Sequence, residues 1–565
     1  RIYLELWDLG EKAKKNARPQ DDEGNLLISK SGNVWFQHQE VVGRWVTFDF
    51  DGTAKLAPDR EYGFMIGFDE PLADDYSVDF AMQRSSETFR GGRLWSRTAN
   101  DGDRSAAGAS TAEGSKFSIK SDRDMLFIVH GWADDGRDQY YGRLADGRRI
   151  AGPSISPWRD PEDAPQLADQ PLFQNNPVRW LRNRHHQPPE LKAGYIEFVG
   201  GDRLPRRIIQ FQAAQHTDDE SRPAHLVIAT PLPLVAPDAD GEFLIHVRHE
   251  FVERLVASEP TALPRSNHLV LRDGREIAYR ALEFRPGGIQ LLTDEGIERF
   301  DFHEVAALQR AVDDPWATWF AQLALLTDSA DAQMLEIATA GGLIATTSHD
   351  RLAPTHDGPA TRANHWIHLV QPPWSLDSLA ISFSNIWQWR AFAAHELPLD
   401  RCRPAQARYA PILGPVRPFR RNRDVLGQTL ADRDGEFGGG FGVYGATVLK
   451  FRLPEEAAAF RTQFAISQQA KSGGCVLAEV HDDAGKRIYR SEVVAGSQKT
   501  IDTGHVTFPT RDGERFILLA VIAAPEDRPP GADPLDIRDY ANWLDPLLLL
   551  NRDRLQKRLE DVASP

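Results

Sequence analysis

The chain has 565 residues, 41% of them hydrophobic, and a formal net charge of −16, enough material for about three to five domains at roughly 100–200 residues each. The acidity argues against a general nucleic-acid binder or a protein held on anionic lipid, since both need a basic footprint. The two cysteines, Cys402 and Cys475, allow neither a disulfide framework nor a four-thiolate zinc site, and no run approaches the ~18 apolar residues that span a bilayer.

Arg1 leads straight into Ile2-Tyr3-Leu4-Glu5-Leu6-Trp7, which reads as the middle of a strand. The missing Met start is read as a removed leader, hence an extracytoplasmic location, periplasmic or cell-surface. Residues 1–131 read as all-β. Trp45–Phe50 and Tyr62–Phe68 alternate with period two, and Met125–Val129 is a short apolar strand. The phrase Trp45-x-Thr47-Phe48…Leu56-Ala57-Pro58…Tyr62-x-Phe64 resembles jelly-roll modules of exported bacterial surface proteins, which implies a jelly-roll-like sandwich. Trp35, Phe89 and Trp95 are either sugar-stacking rings or core aromatics.

Residues 132–190 read as a hairpin followed by an ordered, Pro-rich linker. A recurrent strand–Gly turn–strand pattern then appears around Gly147, Gly200-Gly201, Gly274 and Gly341-Gly342, each a hairpin by its turn chemistry. It organises small β-barrel repeats at 191–258 and 259–312, and a short helix plus β repeat at 313–400. In outline these resemble Sm-type barrels, but the Asp…Asn and Arg-Gly nucleotide-contacting signatures of that family are missing. The apolar spacing of Trp316, Trp319, Phe320 and Leu323 after Asp313-Asp314-Pro315 predicts the helix, over 316–326. Residues 401–423, rich in Pro and Arg, are expected to be a linker.

The closing stretch is the most informative. A glycine cluster, Gly438-Gly439-Gly440-Phe441-Gly442-Val443-Tyr444, is followed by alternating segments at Leu449–Leu453, Phe460–Ile466 and Val476–Val480. Alternation of this kind builds the inner faces of two packed sheets. With Ile488-Tyr489-Arg490-Ser491, Phe516–Leu519 and Asp539-Tyr540-Ala541-Asn542-Trp543, the order of motifs resembles the NPCBM family of carbohydrate-binding modules, and the loop Arg528-Pro529…Gly531-Ala532-Asp533-Pro534-Leu535-Asp536-Ile537-Arg538-Asp539 resembles the form found in large planctomycete proteins. The resemblance implies a galactose-binding-like β-sandwich over 424–551, followed by a tail at 552–565. It departs from the family at Tyr444, where His is frequent, and at Ala520-Val521-Ile522, where an Asp is frequent. Candidate carbohydrate-binding residues are Tyr444, Asp533, Asp536, Asp539 and Trp543: carboxylates accept sugar hydroxyls or bind calcium through oxygen, and an indole stacks on a sugar face. A turn-forming or Arg-pairing role for the aspartates, and a core-anchor role for Trp543, are the competing readings.

Catalytic signatures are missing. His249-Glu250, His303-Glu304 and His395-Glu396 each lack a second His four residues after the first, where Glu253, Ala307 and Leu399 stand. There is no nucleophile elbow, phosphate-cradling loop or dinucleotide fingerprint. The sequence therefore leads to a mainly β, multidomain, non-catalytic protein that binds carbohydrate through its last domain. The alternatives are a structural subunit of a surface layer, filament or larger complex and, ranked last, a glycan-active hydrolase with an unrecognised catalytic domain. The expected partners are a glycan or other protein subunits, with oligomerisation open. No cofactor is expected, and calcium is the one candidate ion.

Overall fold

A computed structural model of the chain describes residues 2–10, 25–31, 56–57, 60, 62–68, 82–83, 94–96, 118–120 and 124–125, and 138–563 except 156–164, 175, 190–193, 217–220, 237, 239–240, 258–265, 311–313, 356–366, 414, 510–512 and 524. It divides into two compact units, 1–135 and 136–565. In the first, Ile2–Asp8 pairs antiparallel with Leu26–Lys30 on one side and Tyr62–Phe68 on the other. The expected Trp45–Phe50 strand, Trp35 and Phe89 lie outside the described residues, as does most of the expected jelly roll.

The second unit is built from a repeated device. Four hairpins, 140–152, 195–205, 268–278 and 333–348, each turn through a glycine held at φ near +90°. At all four turns (Gly147, Gly201, Gly274, Gly342) the glycine N–H donates to the carbonyl three residues back. An L side chain is strained at that φ, which is why glycine recurs there. A later strand returns beside the first strand of each hairpin: Val178–Asn183, Val252–Val256, Val305–Gln309 and Ile386–Ala393. In three of the four, a three-stranded sheet lies between hairpin and closing strand, and a 3-10 turn leads directly into the closing strand. Neighbouring repeats then pair edge to edge, so hairpins and closing strands merge into one twelve-stranded antiparallel sheet. Pairing the edges of the small sheets removes exposed strand templates.

The predicted helix, α1, spans Pro315–Leu326. Asp314 caps it by accepting from the Trp316 and Ala317 N–H groups. Its buried stripe of Trp316, Trp319, Phe320 and Leu323 packs against a second helix, α2 (Arg552–Ala563), where a tail was expected. Leu555 and Leu559 explain the difference: one turn apart, both are buried in the core shared with α1.

The closing residues form a two-sheet antiparallel sandwich. One sheet runs Arg420–Arg421, Gly440–Tyr444, Tyr540–Leu550, Ala457–Ile466, Thr500–Asp502; the other runs Gln406–Tyr409, Thr447–Leu453, Arg515–Ala523, Cys475–Asp482, Arg487–Arg490. Thr447–Leu453 shows the cause most clearly, its residues alternating buried and half-buried along the whole strand. Phe441, Phe451, Phe464, Ile517, Leu519 and Trp543 meet between the sheets, each contributing about 1.5–3 kcal/mol by burial. The mainly β, multi-sheet class expected from the sequence is what the chain adopts. The linker expected at 401–423 is not a spacer. Its prolines flank two short edge strands, Gln406–Tyr409 and Arg420–Arg421, where a missing N–H costs no ladder bond.

Sandwich and array are locked by buried ions. Arg390 grips Asp400 through two bonds of 2.7 and 2.9 Å. Next to it, Arg401 donates to Asp202 (2.7 Å), Glu336 (2.9 Å), the Thr346 hydroxyl (2.5 Å) and the Gly200 carbonyl (2.6 Å). Asp202 also accepts from the Trp374 indole at 2.8 Å. All of these charged side chains are buried. A second knot centres on Glu197, paired with Arg254 of its own repeat and with Arg403 and Arg421 from the sandwich side. Burial pushes the Glu197 carboxyl up, but Arg403, Arg421 and Arg254 outweigh it and hold it well below the usual carboxylate range. A depressed acid adds stability above its unfolded pKa and loses it as pH falls through the folded value.

The glycine cluster sits on this seam. A Cβ on Gly438 would lie 2.5–2.7 Å from the Trp180 side chain, and one on Gly439 would lie 2.4 Å from the Arg390 guanidinium. Gly438→Ala should therefore cost about 1–3 kcal/mol by overpacking. Arg401→Ala, which takes the ion-pair partner from buried Asp202 and leaves Glu336 only Arg390 at 3.4 Å, should cost about 3–5 kcal/mol. Chemical denaturation followed by tryptophan fluorescence checks both, and a loss below ~0.5 kcal/mol for Arg401→Ala contradicts the seam's role.

Candidate functional site

The five candidate residues gather at one end of the sandwich, but the strand register sorts them. Gly440–Tyr444 pairs with Tyr540–Leu550 so that Phe441 faces Trp543, Val443 faces Ala541 and Tyr444 faces Tyr540. Phe441 and Val443 are core residues, so Trp543 points inward with them. It is fully buried, 4.9 Å from the Phe464 ring, and cannot stack on a sugar. That candidate role is corrected: Trp543 anchors the core.

Asp536 is also fully buried. One carboxylate oxygen accepts the Ile412 N–H at 2.7 Å and the other the Leu413 N–H at 3.0 Å, so it staples the 411–413 loop to the 533–539 loop. Asp539 accepts the Cys475 N–H at 2.7 Å. Burial raises its pKa to about 7, the Cys475 N–H pulls it back, and the charges of Asp536 and Asp533 add to the rise. Asp533 takes the Gly474 N–H at 3.0 Å and both arms of Arg538. Those bonds, the Arg538 side chain first, lower its pKa. The three aspartates thus accept from backbone N–H groups of the neighbouring 411–413 and 474–475 segments, and Asp533 also from Arg538 of its own loop. Among the described residues, no three His, Cys, Asp or Glu side chains come together as a metal-holding set.

Tyr444 is different. Half-buried, its hydroxyl donates to the Asp536 carbonyl at 2.5 Å. Its ring lies 6.0 Å from that of Tyr540, tilted by 42°, and the Arg417 guanidinium sits 5.6 and 5.9 Å from the two ring centres. Around this aromatic–cation cluster, Ile412, Leu413, Val416, Leu535 and Ile537 are exposed on the two stapled loops. Tyr540 and Arg417 are the members that sequence reasoning missed. Tyr540 was recoverable, since its place opposite Tyr444 follows once Trp543 is set against Phe441. Nothing local marks Arg417, which arrives from the stretch expected to be a linker.

The chain matches no family model and no curated protein. Among solved structures, it is similar to CBM51 from Clostridium perfringens GH95 in complex with methyl-galactose, at 17% identity and TM-score 0.22 over 27% of this chain and 99% of that one. It is similar at 11% identity and TM-score 0.22 to the M60 catalytic domain with the CBM51-1 and CBM51-2 domains of C. perfringens ZmpB, covering 84% of this chain and 56% of that one. CsCBM6-3 from Clostridium stercorarium in complex with cellobiose follows at 11% identity and TM-score 0.15, over 26% and 87%. At such scores these likenesses carry no weight for function. Among the described residues no helix is long and apolar enough to cross a membrane.

An acid whose folded pKa is raised binds its proton more tightly in the native state, so its contribution is full below the unfolded pKa and is lost as pH rises through about 7. Asp539→Asn should therefore gain stability relative to the parent as pH goes from 4 to 8. Paired thermal melts across that range check it, and a constant difference refutes the buried, protonated carboxyl.

Proposed function

We propose that this chain is a non-catalytic, extracytoplasmic protein that recognises carbohydrate through its closing sandwich, an NPCBM-type module, at the Tyr444–Tyr540–Arg417 face. The observation that carries this reading is the half-exposed tyrosine pair with its shared guanidinium at the loop end of a sandwich. Aromatic faces pack against the C–H faces of a sugar, while phenol and guanidinium groups supply hydrogen bonds to its hydroxyls. One shallow face of this kind binds at mM to μM, about −4 to −8 kcal/mol, and gains retention on a polymer through several copies. Affinity electrophoresis of the full chain on a polysaccharide panel tests it. Retardation by at least one polysaccharide should be lost in Tyr540→Ala and Arg417→Ala, with the melting temperature kept. No retardation of the parent protein by any member, with and without calcium, sinks the reading.

A second reading, a structural subunit of a surface layer, filament or larger complex, is favoured by the five exposed apolar side chains at the same end. It predicts concentration-dependent assembly in native mass spectrometry that Leu413→Asp and Leu535→Asp abolish. A monomer at all concentrations counts against it.

A further inference from the structure

A cavity of about 220 Å³ lies where the first hairpin of the array meets the sandwich, five residues along the Tyr540–Leu550 strand from the tyrosine pair. Leu144, Thr462 and Leu544 form a buried floor, and Asp146 and Asp502 stand exposed at the rim. Two departures from regular strand geometry shape it. The Ala457–Ile466 strand shifts register between Arg461 and Gln463. Thr462 is held inward there by its hydroxyl on the Leu544 carbonyl at 2.8 Å and its N–H on Thr503 at 3.0 Å, and both neighbours line the cavity. A bulge is a common way to re-aim side chains beside a site. Opposite, Asp545 sits at φ +43°, its N–H on the Gly439 carbonyl, a strained conformation that persists where surroundings enforce it.

The charges around this cavity are only partly matched. Arg179 is spent on Glu396 and Asp146 on Arg148. Arg143 has no carboxylate partner among the described residues. It donates to the Gly147 carbonyl and the Gln463 amide, and lies 4.4 Å over the Phe437 ring. Arg461 makes no ion pair there. Among the described residues neither Asp545 nor Asp502 has an ion-pair partner within 4 Å: Asp545 feels Arg390, Arg179 and Arg143 only at longer range and accepts no hydrogen bond, and Asp502 accepts from the Gly504 N–H at 2.8 Å and the Gln463 amide at 3.4 Å. Two guanidinium groups and two carboxylates therefore line one small space with no close ion pair between them among the described residues. Planar guanidinium forks match a ligand carboxylate, and carboxylates with spare lone pairs accept from hydroxyls. A cavity of ~150 Å³ takes a benzene-sized ring, so this one has room for a single substituted pyranose.

We propose that this cavity binds a carboxylate-bearing monosaccharide of the uronic-acid class, its carboxylate on Arg143 and Arg461 and its hydroxyls on Asp545, Asp502 and Gln463. The site is separate from the tyrosine face and stands or falls independently of it. Isothermal titration of the full chain with D-galacturonate and D-glucuronate tests it, with galactose, glucose and acetate as controls. One uronate should bind once per chain with a Kd on the order of 1 mM, and galactose, glucose and acetate at least about tenfold more weakly. Arg461→Ala and Gln463→Ala should each weaken the uronate about tenfold or more, while Tyr540→Ala leaves it unchanged. No saturable uronate binding, equal binding of acetate, or unchanged binding in both well-folded cavity variants overturns the proposal. Loss in Tyr540→Ala alone would assign the uronate to the tyrosine face and also overturn it.

Discussion

Arg401 and its surroundings are the constraint on which the second unit depends. A guanidinium buried among Asp202, Glu336 and Thr346 is tolerable only because its donors find acceptors, since a buried charge without partners costs several kcal/mol. Those acceptors come from two different repeats of the array, while Arg401 comes from the turn that opens the sandwich. The ions therefore require the parts to arrive in one arrangement. Glycines 438 and 439 make that arrangement reachable by letting the backbone come against Trp180 and Arg390. Hydrophobic burial supplies most of the cohesion, and the ions and glycines choose among the ways it could be satisfied.

Much of the fold was legible in the chain, because turn chemistry and alternation are local. Gly147, Gly201, Gly274 and Gly342 announced four hairpins that share one turn geometry, and Asp314-Pro315 announced α1. The 401–423 stretch misled because proline and arginine density looks like a linker. Its arginines are instead the counter-ions of buried acids some 200 residues earlier in the chain, a pairing no local pattern reveals. The helix at 552–563 escaped for a similar reason: its two buried leucines matter only once α1 is set beside them.

The candidate site was legible in place but not in detail. The loop end was found, yet of the residues named there only Tyr444 offers a ring toward solvent. Asp536 and Asp539 look like ligand groups in sequence and act as staples in three dimensions, because backbone N–H groups at Ile412, Leu413 and Cys475 reach them first. Sequence shows which groups are chemically able to bind. It does not show which have already been claimed.

The edge strands carry a consequence for how the closing sandwich can be handled. Glu396–Pro398, Gln406–Tyr409 and Arg420–Arg421 all precede residue 424 and pair with strands that follow it. A fragment cut at 424 would lack three rungs of its two sheets and would bare the row of backbone groups they cover. This sandwich is not a detachable cassette. Grafting it elsewhere means carrying residues from 396 onward and repairing the acids and arginines severed at the cut.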